Sequence, residues 1–437
     1  MTFVASSIVV IGKIKSFGCS MYPLLHDRDI VYLQNNPSRQ IHVDDIVVFR
    51  SNRRFITHRV VFKDSSFLIA KGDANDTIDG IMHKDRVLGL VNQVLRKGQM
   101  LDIGLLYMTQ SAFYQKEVQE ISDTFNRARL PFIILKGLPL HLYYEKTFPK
   151  RIYADCDVLI RKDVCENLLA HLRNRGYTRA KNSLVLNAPD EKSDELHYYK
   201  LYHGFPVVFD IHTNLVFLFA NLPHLESLYP KKLSEQFLEK CLLRTRIISV
   251  HGNSYRILQQ DLLILYLALH LFHHNMRGYH RYQFLDIVIR KELGKLGRKQ
   301  RAHFWNEINM LIVQYKVSSF VYYVFYLLKI RYKTPIPQTF LANIRPSCLV
   351  LWVLEKTVTK KTMFDNQDRL TAGIQRFVLA LVLSPQSIWR KFCLVVEPAV
   401  WLALIKILSL RLQFLFRSHT RNYLRNNRLN NRDGRVE

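Results

Sequence analysis

The sequence predicts a multidomain protein, in which a small all-β domain is followed by an α/β domain and an α-helical C-terminal region. The 437 residues exceed what one hydrophobic core usually serves. Up to about residue 100, short β-type runs alternate with polar turn clusters, and beyond that point helical periods begin. We predict four segments: a β domain at 1–100, an α/β domain at 101–253, a helical region at 254–417 and a basic tail at 418–437.

Each element follows from a local pattern. The apolar run Phe3–Ile11 predicts a strand, since it has no basic segment ahead of it and is shorter than the roughly 20 residues of a bilayer span. Further strands are predicted at Ile30–Leu33, Asp45–Phe49, Phe55–Phe62, Phe67–Ala70 and Val87–Val91. The α/β part is predicted to contain helices at Leu105–Ala128 and Asp163–Asn174 and strands at Phe132–Leu135, Asp157–Ile160 and Pro206–Ile211. From about Ser254 onward the apolar spacing is helical.

The composition bears on location and partners. A formal charge of +27 favours polyanions such as nucleotides, nucleic acid or a phospholipid surface. Six scattered cysteines have neither disulfide-framework nor zinc-knuckle spacing, so we expect a reducing, cytoplasmic location. The arginine-rich tail and the apolar segment Ala399–Leu410 before it are compatible with peripheral contact to an anionic membrane surface, or with RNA binding.

A serine, a histidine and several carboxylates come from separate turns of the predicted β domain. Ser20 lies in a turn before a strand, His58 lies within a strand, and Asp73 and Asp79 follow the next one. A hydroxyl becomes nucleophilic when a base takes its proton, and an oriented imidazole can do so near neutral pH. Ser20, His58 and an aspartate therefore form a candidate catalytic triad.

These residues stand in motifs that resemble the type I signal peptidase family, in its branch with serine and histidine. The matching segments are Ser20-Met21-Tyr22-Pro23, Asp44-Asp45-Ile46-Val47-Val48-Phe49, His58-Arg59-Val60-Val61, Gly72-Asp73-Ala74-Asn75 with Asp79, and Val87-Leu88-Gly89. The resemblance implies that Ser20 is the nucleophile and His58 the general base, with Asp79 orienting the base and Asp73 in support. Family members usually carry a membrane anchor ahead of the serine, whereas nineteen residues precede Ser20 here. A soluble peptidase acting on substrates other than secretory preproteins is therefore expected.

A second group of carboxylates lies in the α/β part. Asp155 and Asp157 are two residues apart on a predicted strand and so share a face, and Asp210 lies on another apolar strand. If the strands pair, three carboxylates converge and favour Mg²⁺ or Mn²⁺. Such a site suits nucleotidyl transfer from a nucleoside triphosphate (NTP). Lys136-Gly137, at a strand-to-helix turn, and Arg151 would add contacts to the phosphates.

This second group resembles the uncharacterised bacterial nucleotidyltransferase family of the polymerase-β-like superfamily. The resemblance is carried by Leu135-Lys136-Gly137, Arg151-Ile152-Tyr153-Ala154-Asp155-Cys156-Asp157-Val158-Leu159-Ile160, Gly176-Tyr177 and Phe209-Asp210-Ile211-His212, and more loosely by Asp261-Leu262-Leu263, His270 and Asp286-Ile287. It implies that Asp155, Asp157 and Asp210 bind metal and that Lys136, Gly137 and Arg151 surround the nucleotide. Lys136-Gly137 stands where most of the superfamily has Gly-Ser.

Three functional hypotheses follow. The first is a Mg²⁺-dependent nucleotidyltransferase fused to a serine peptidase, with a peptide or protein as one candidate acceptor. The second is a serine peptidase with an inert transferase domain. The third is a basic RNA- or membrane-binding adaptor in which both sites are vestigial.

Overall fold

A computed structural model gives the fold of the chain. It describes residues 10–34, 41–51, 54–75, 78–153, 155–179, 195–202, 205–215, 228–358, 363–364, 370–398, 400–402, 405 and 409. The basic tail at 418–437, most of the predicted strand Phe3–Ile11 and much of the predicted apolar segment Ala399–Leu410 lie outside these residues. No helix in this described part of the chain is both long and apolar enough to cross a membrane.

The N-terminal region is an antiparallel β-sheet, with strand order β1-β2-β7-β3-β4-β5-β6 and β8 paired with β7. Its strands are β1 (Val10–Lys15), β2 (Ile30–Gln34), β3 (Ile46–Ser51), β4 (Arg54–Lys63), β5 (Phe67–Lys71), β6 (Ile81–His83), β7 (Val87–Arg96) and β8 (Gln99–Asp102). The sheet has apolar clusters on two sides, since neighbouring residues such as Val47 and Val48 belong to different clusters. The strands predicted between residues 30 and 91 are all present in this β region.

Helix α1 (Ile103–Arg127) begins directly after β8 and leads into a mixed seven-stranded sheet. The side chain of Asp102 caps the helix by accepting a hydrogen bond from the Leu105 N–H at 2.9 Å. The remaining elements of this α/β region are β9 (Ile133–Lys136), α2 (Leu138–Glu145), β10 (Asp155–Leu159), α3 (Cys165–Asn174), β11 (Thr178–Arg179), β12 (Glu195–Tyr202), β13 (Phe205–His212), α4 (Lys231–Leu243), β14 (Thr245–Val250) and β15 (Asn253–Leu258).

The sheet order is β11-β12-β13-β10-β9-β15-β14. Strand β10 is central, pairing in parallel with β13 and antiparallel with β9. Its residues from Cys156 to Leu159 are buried, as expected for a strand covered on both faces. The carboxylates at the start of β10 are thereby carried on a rigid strand of the core.

Helices follow to the end of the described chain. They are α5 (Gln260–His273), α6 (Tyr279–Gly294), α7 (Arg298–Gln314), α8 (Ser318–Leu327), α9 (Gln338–Asn343), α10 (Cys348–Thr357), α11 (Leu370–Leu383) and α12 (Ile388–Val396). Helix α5 is apolar around most of its circumference because it packs against α6, α7 and α8 and also touches the sheet.

Two of the differences from expectation lie in the seven-stranded sheet. The prediction that helical structure begins at about Ser254 is wrong, because Asn253–Leu258 pairs with Thr245–Val250 as a hairpin and the first helix of the C-terminal region begins at Gln260. Strand Glu195–Tyr202 was not predicted, although it borders the strand that carries Asp210.

Candidate functional site

The register of three strands brings the predicted carboxylates together. Asp157 of β10 lies opposite Asp210 of β13 in the parallel pair and opposite Lys136 of β9 in the antiparallel pair. Asp155 is two residues before Asp157 and therefore points to the same face. One ligand atom from each of Asp155, Asp157 and Asp210 can be chosen so that all three lie within 4.8 Å of one another.

Lys136 neutralises part of this charge. Its Nζ lies 2.9 Å from Oδ2 of Asp155, to which it donates a hydrogen bond, and 2.9 Å from Oδ2 of Asp157. The ammonium lowers the pKa of Asp155 to about 2, against the opposing effect of burial. The two carboxylates in turn raise the pKa of Lys136 although burial lowers it, so the ammonium stays charged at neutral pH. Lys136 thus contacts the carboxylates directly, a partner that the sequence did not predict.

Two histidines to which the sequence analysis assigned no role complete the acidic group. His197 Nδ1 on β12 lies 2.5 Å from Oδ1 of Asp210, and His212 Nε2 on β13 lies 3.2 Å from Oδ1 of Asp157. Burial raises the pKa of Asp210, and the nearby Asp157 carboxylate adds to the rise, while the hydrogen bond from His197 opposes it. Each histidine therefore orients one carboxylate.

The Lys136-Gly137 turn is held by close packing. Gly137 has φ +124°, and a Cβ added there would lie 2.9 Å from Tyr114 Oη and 3.2 Å from the carbonyl oxygen of Asp155. The Tyr114 hydroxyl donates a 2.5 Å hydrogen bond to that same carbonyl oxygen. Glycine is therefore required where β9 passes β10, and helix α2 begins immediately afterwards.

Arg151 lies in the segment before β10. Its guanidinium stacks on Tyr153, with Cζ 4.6 Å from the ring centroid, and donates a hydrogen bond to the Tyr153 hydroxyl. Arg151, Lys136, Gly137 and Asp155 all line one cavity. The structure thus brings the predicted nucleotide-binding residues to the edge of the carboxylate group.

A divalent cation fits this donor set. Carboxylate oxygens are the hard ligands that Mg²⁺ and Mn²⁺ prefer, and three of them converge here on adjoining strands. Burial, with a smaller contribution from the neighbouring carboxylates, raises the pKa of Asp210, and a bound cation would offset both effects by stabilising the charged form.

The β region contains a second constellation. His58 Nε2 lies 2.9 Å from Ser20 Oγ, and His58 Nδ1 lies 2.5 Å from Oδ2 of Asp79. Ser20 is in the turn between β1 and β2, His58 is on β4, and Asp79 lies in the loop after β5. His58 is buried, which limits the positions its ring can take. The three residues form a continuous hydrogen-bonded chain from hydroxyl to carboxylate.

Asp73 has a different partner. It accepts two hydrogen bonds from Arg59, at 2.7 and 2.6 Å, while Asp79 occupies the position against His58. The loop that contains Asp73 is nevertheless fixed beside Ser20, because the Ala74 N–H donates to the Ser20 carbonyl oxygen at 2.8 Å. Asp73 therefore supports the loop and the domain packing, and Asp79 contacts the histidine.

Comparison with known proteins identifies the class to which this site belongs. A family described as uncharacterised nucleotidyltransferase matches residues 97–333, more than half of the chain, and the protein belongs to that family. The match includes Lys136, Arg151 and all three converging aspartates, so transfer of nucleotidyl groups from a nucleoside triphosphate is the activity it implies. The β region before residue 97 is outside the match. No curated protein and no solved structure matches the chain.

Proposed function

We propose that the protein is a nucleotidyltransferase that uses Mg²⁺ or Mn²⁺ to move a nucleoside monophosphate from an NTP to an acceptor. The convergence of Asp155, Asp157 and Asp210 on paired strands of the family-matched region is the observation that carries this proposal. The cytoplasm, which supplies NTPs and fits the cysteine usage, is the proposed location.

Asp155, Asp157 and Asp210 would hold the metal, which when bound offsets phosphate charge and favours attack at the α-phosphorus. His197 and His212 keep Asp210 and Asp157 oriented. In the net reaction a bond forms between the acceptor and the α-phosphorus, the bond from the α-phosphorus to the bridging oxygen breaks, and pyrophosphate leaves while the acceptor loses a proton. Arg151 and Lys136 would supply positive charge beside the phosphates, and Gly137 lines the same cavity.

A peptide or protein is the acceptor class we propose, because a peptidase-like site belongs to the same chain. The test is incubation with each α-³²P-labelled NTP, Mg²⁺ and candidate peptides, with Asp155→Asn as the inactive variant. Asp163→Asn is the control, since Asp163 is exposed and pairs with Arg161 away from the triad. We expect label on peptide with wild type and the control only. Label that reaches only RNA or small sugars would refute the peptide acceptor, and equal labelling by Asp155→Asn would refute the metal site.

A second activity is favoured by the Ser20–His58–Asp79 chain. We propose that it is a serine peptidase site, with Ser20 as nucleophile, His58 as general base and Asp79 as the group that orients the base. A fluorophosphonate probe should label Ser20 in wild type and in the control Ser66→Ala, whose residue is exposed on a turn. Absence of labelling in wild type would contradict the peptidase proposal and favour a β region whose role is binding alone.

An anionic membrane surface is the partner we propose for the C-terminal helices. On α12 the side chains of Ile388, Trp389 and Phe392 are 86%, 73% and 54% exposed. Arg390 on the same helix is exposed as well, and the arginine-rich segment follows in the sequence. Apolar and aromatic residues beside basic ones are typical of helices that lie in the membrane interface. RNA binding in place of vesicle binding is the outcome that would overturn this assignment.

A further inference from the structure

A cavity of about 310 Å³ lies where the β region, the α/β region and the helices meet. Gly72 and Lys71 line it from the β region, Lys136 and Asp155 from the α/β region, and Arg281 from helix α6. The cavity thus reaches the carboxylate site on one side, while the opposite wall belongs to the part of the chain that the family match does not cover.

Direct contacts fix this wall in place. The Arg59 guanidinium, which is buried, donates a 2.6 Å hydrogen bond to the Lys150 carbonyl oxygen while it binds Asp73 through two bonds. In return, Lys150 Nζ donates to Asp45 at 2.9 Å. The Tyr279 hydroxyl of α6 donates to Asp44 at 3.1 Å. Buried charged groups are costly to separate from their partners, so these bonds hold the two regions in one relative position.

The charge of the lining indicates a polyanionic ligand. Five cationic side chains line the cavity against two carboxylates: Arg59, Lys71, Lys136, Arg151 and Arg281 against Asp73 and Asp155. Tyr22, Tyr279 and Phe284 add aromatic surface, which is suited to a nucleobase. A nucleoside triphosphate combines these two chemistries, and its phosphates have to lie beside Asp155 if the carboxylates are to act on it.

We propose that the nucleoside triphosphate binds between the β region and the α/β region, with Lys71 and the Tyr22 turn forming the second wall of its site. This inference rests on the proposed transferase function and adds that the peptidase-like region completes the transferase site. The wall is also joined to Ser20, since a Cβ on Gly72 would lie 2.7 Å from the Ser20 carbonyl oxygen. Gly72 therefore lies against both the cavity and the loop that carries the candidate nucleophile.

The test measures the dissociation constants of the four α,β-methylene ribonucleoside triphosphates with Mg²⁺ by calorimetry on the full chain. We expect Lys71→Met to raise the dissociation constant of the tightest analogue about tenfold, as for loss of one charge-assisted contact. Lys63→Met is the control, because Lys63 lies on neighbouring strand β4 outside the cavity lining, and we expect a change of less than about twofold.

Circular dichroism shows whether Lys71→Met folds. If Lys71→Met does not fold, Tyr22→Ala serves as the second test variant. Tyr22 lines the cavity and is 36% exposed, and its truncation should weaken binding of the analogue about threefold. If wild type binds an analogue and the folded cavity variants bind it equally well, the inference is wrong and the transferase proposal stands. If wild type binds none of the four analogues, the transferase proposal itself fails. A raised KM for the acceptor with unchanged nucleotide binding would assign this wall to the acceptor and overturn the inference.

Discussion

Replacement of Gly137 by alanine tests whether the turn between β9 and α2 positions the carboxylate site. Gly137 has φ +124° and ψ −171°, a conformation that is essentially confined to glycine. The added methyl group would also lie 2.9 Å from the Tyr114 hydroxyl and 3.2 Å from the Asp155 carbonyl oxygen, which are hydrogen-bonded to each other. The substitution therefore destabilises the fold in two ways, through backbone strain and through a steric clash with a hydrogen-bonded pair.

The magnitudes of the two costs can be worked out from these contacts. Holding a non-glycine residue in this backbone region costs about 1–3 kcal/mol. Separating the buried Tyr114 hydroxyl from its acceptor adds about 1–3 kcal/mol, so we expect the free energy of unfolding to fall by about 2–6 kcal/mol. Because the backbone of Asp155 would be displaced, the rate of nucleotidyl transfer should also fall. We expect this fall at a temperature where the variant is fully folded, so that lost stability does not account for it.

Urea denaturation followed by circular dichroism measures the stability, and Gly176→Ala is the matched control. Gly176 also has positive φ, at +80°, but a Cβ there meets nothing within 4 Å. The control should lose about 1 kcal/mol from backbone strain alone, and it should keep transferase activity. If Gly137→Ala is no less stable than Gly176→Ala, or if it folds and transfers nucleotide at the wild-type rate, the close contact does not position Asp155 and the reasoning is refuted.

Three further outcomes are expected. Because Lys136 holds the pKa of folded Asp155 at about 2, below its ordinary 3.8, their pairing stabilises the fold above pH 3.8 and is lost as the pH falls toward 2. The difference in unfolding free energy between wild type and Lys136→Met should therefore shrink over that range, and a constant difference in acid titrations would contradict the pairing. Gly72→Ala should abolish fluorophosphonate labelling of Ser20, while the control Gly12→Ala on β1, whose Cβ would make only an ordinary 3.9 Å contact with Leu33, retains labelling. Equal labelling of both variants would show that the loop does not position Ser20. Trp389→Ser should weaken sedimentation with phosphatidylglycerol vesicles about tenfold, and equal sedimentation would remove α12 from the membrane contact.

The carboxylate group was predictable because its geometry is largely local. A spacing of two on a strand places Asp155 and Asp157 on one face whatever the rest of the fold does. Asp210 required one further assumption, that its strand pairs with theirs, and the structure pairs Asp157 directly with Asp210. The Ser20–His58–Asp79 chain was predictable only from the order of its motifs, since its members are far apart in sequence and no period relates them.

The partners of these residues were not predictable in the same way. His197 contacts Asp210 because β12 pairs with β13, and the alternation of Leu196 and Tyr198 with the polar residues His197 and Lys200 is only a weak strand signal in the sequence. The hairpin that ends at Leu258 was signalled by the turn His251-Gly252 after the β-branched run Thr245–Val250. Its second strand contains only one β-branched residue, and apolar residues continue directly into α5 and obscure the boundary. Arg281 reaches the cavity through packing of α6 against the β region, which no local pattern encodes.

Strand β4 joins the two candidate sites through adjacent residues. His58 and Arg59 point to opposite sides of the strand, because successive side chains in a β-strand alternate. His58 thus faces Ser20 and Asp79, while Arg59 faces Asp73 and the Lys150 carbonyl oxygen of the α/β region. The same strand therefore carries the candidate general base of one site and contributes Arg59 to the cavity wall of the other.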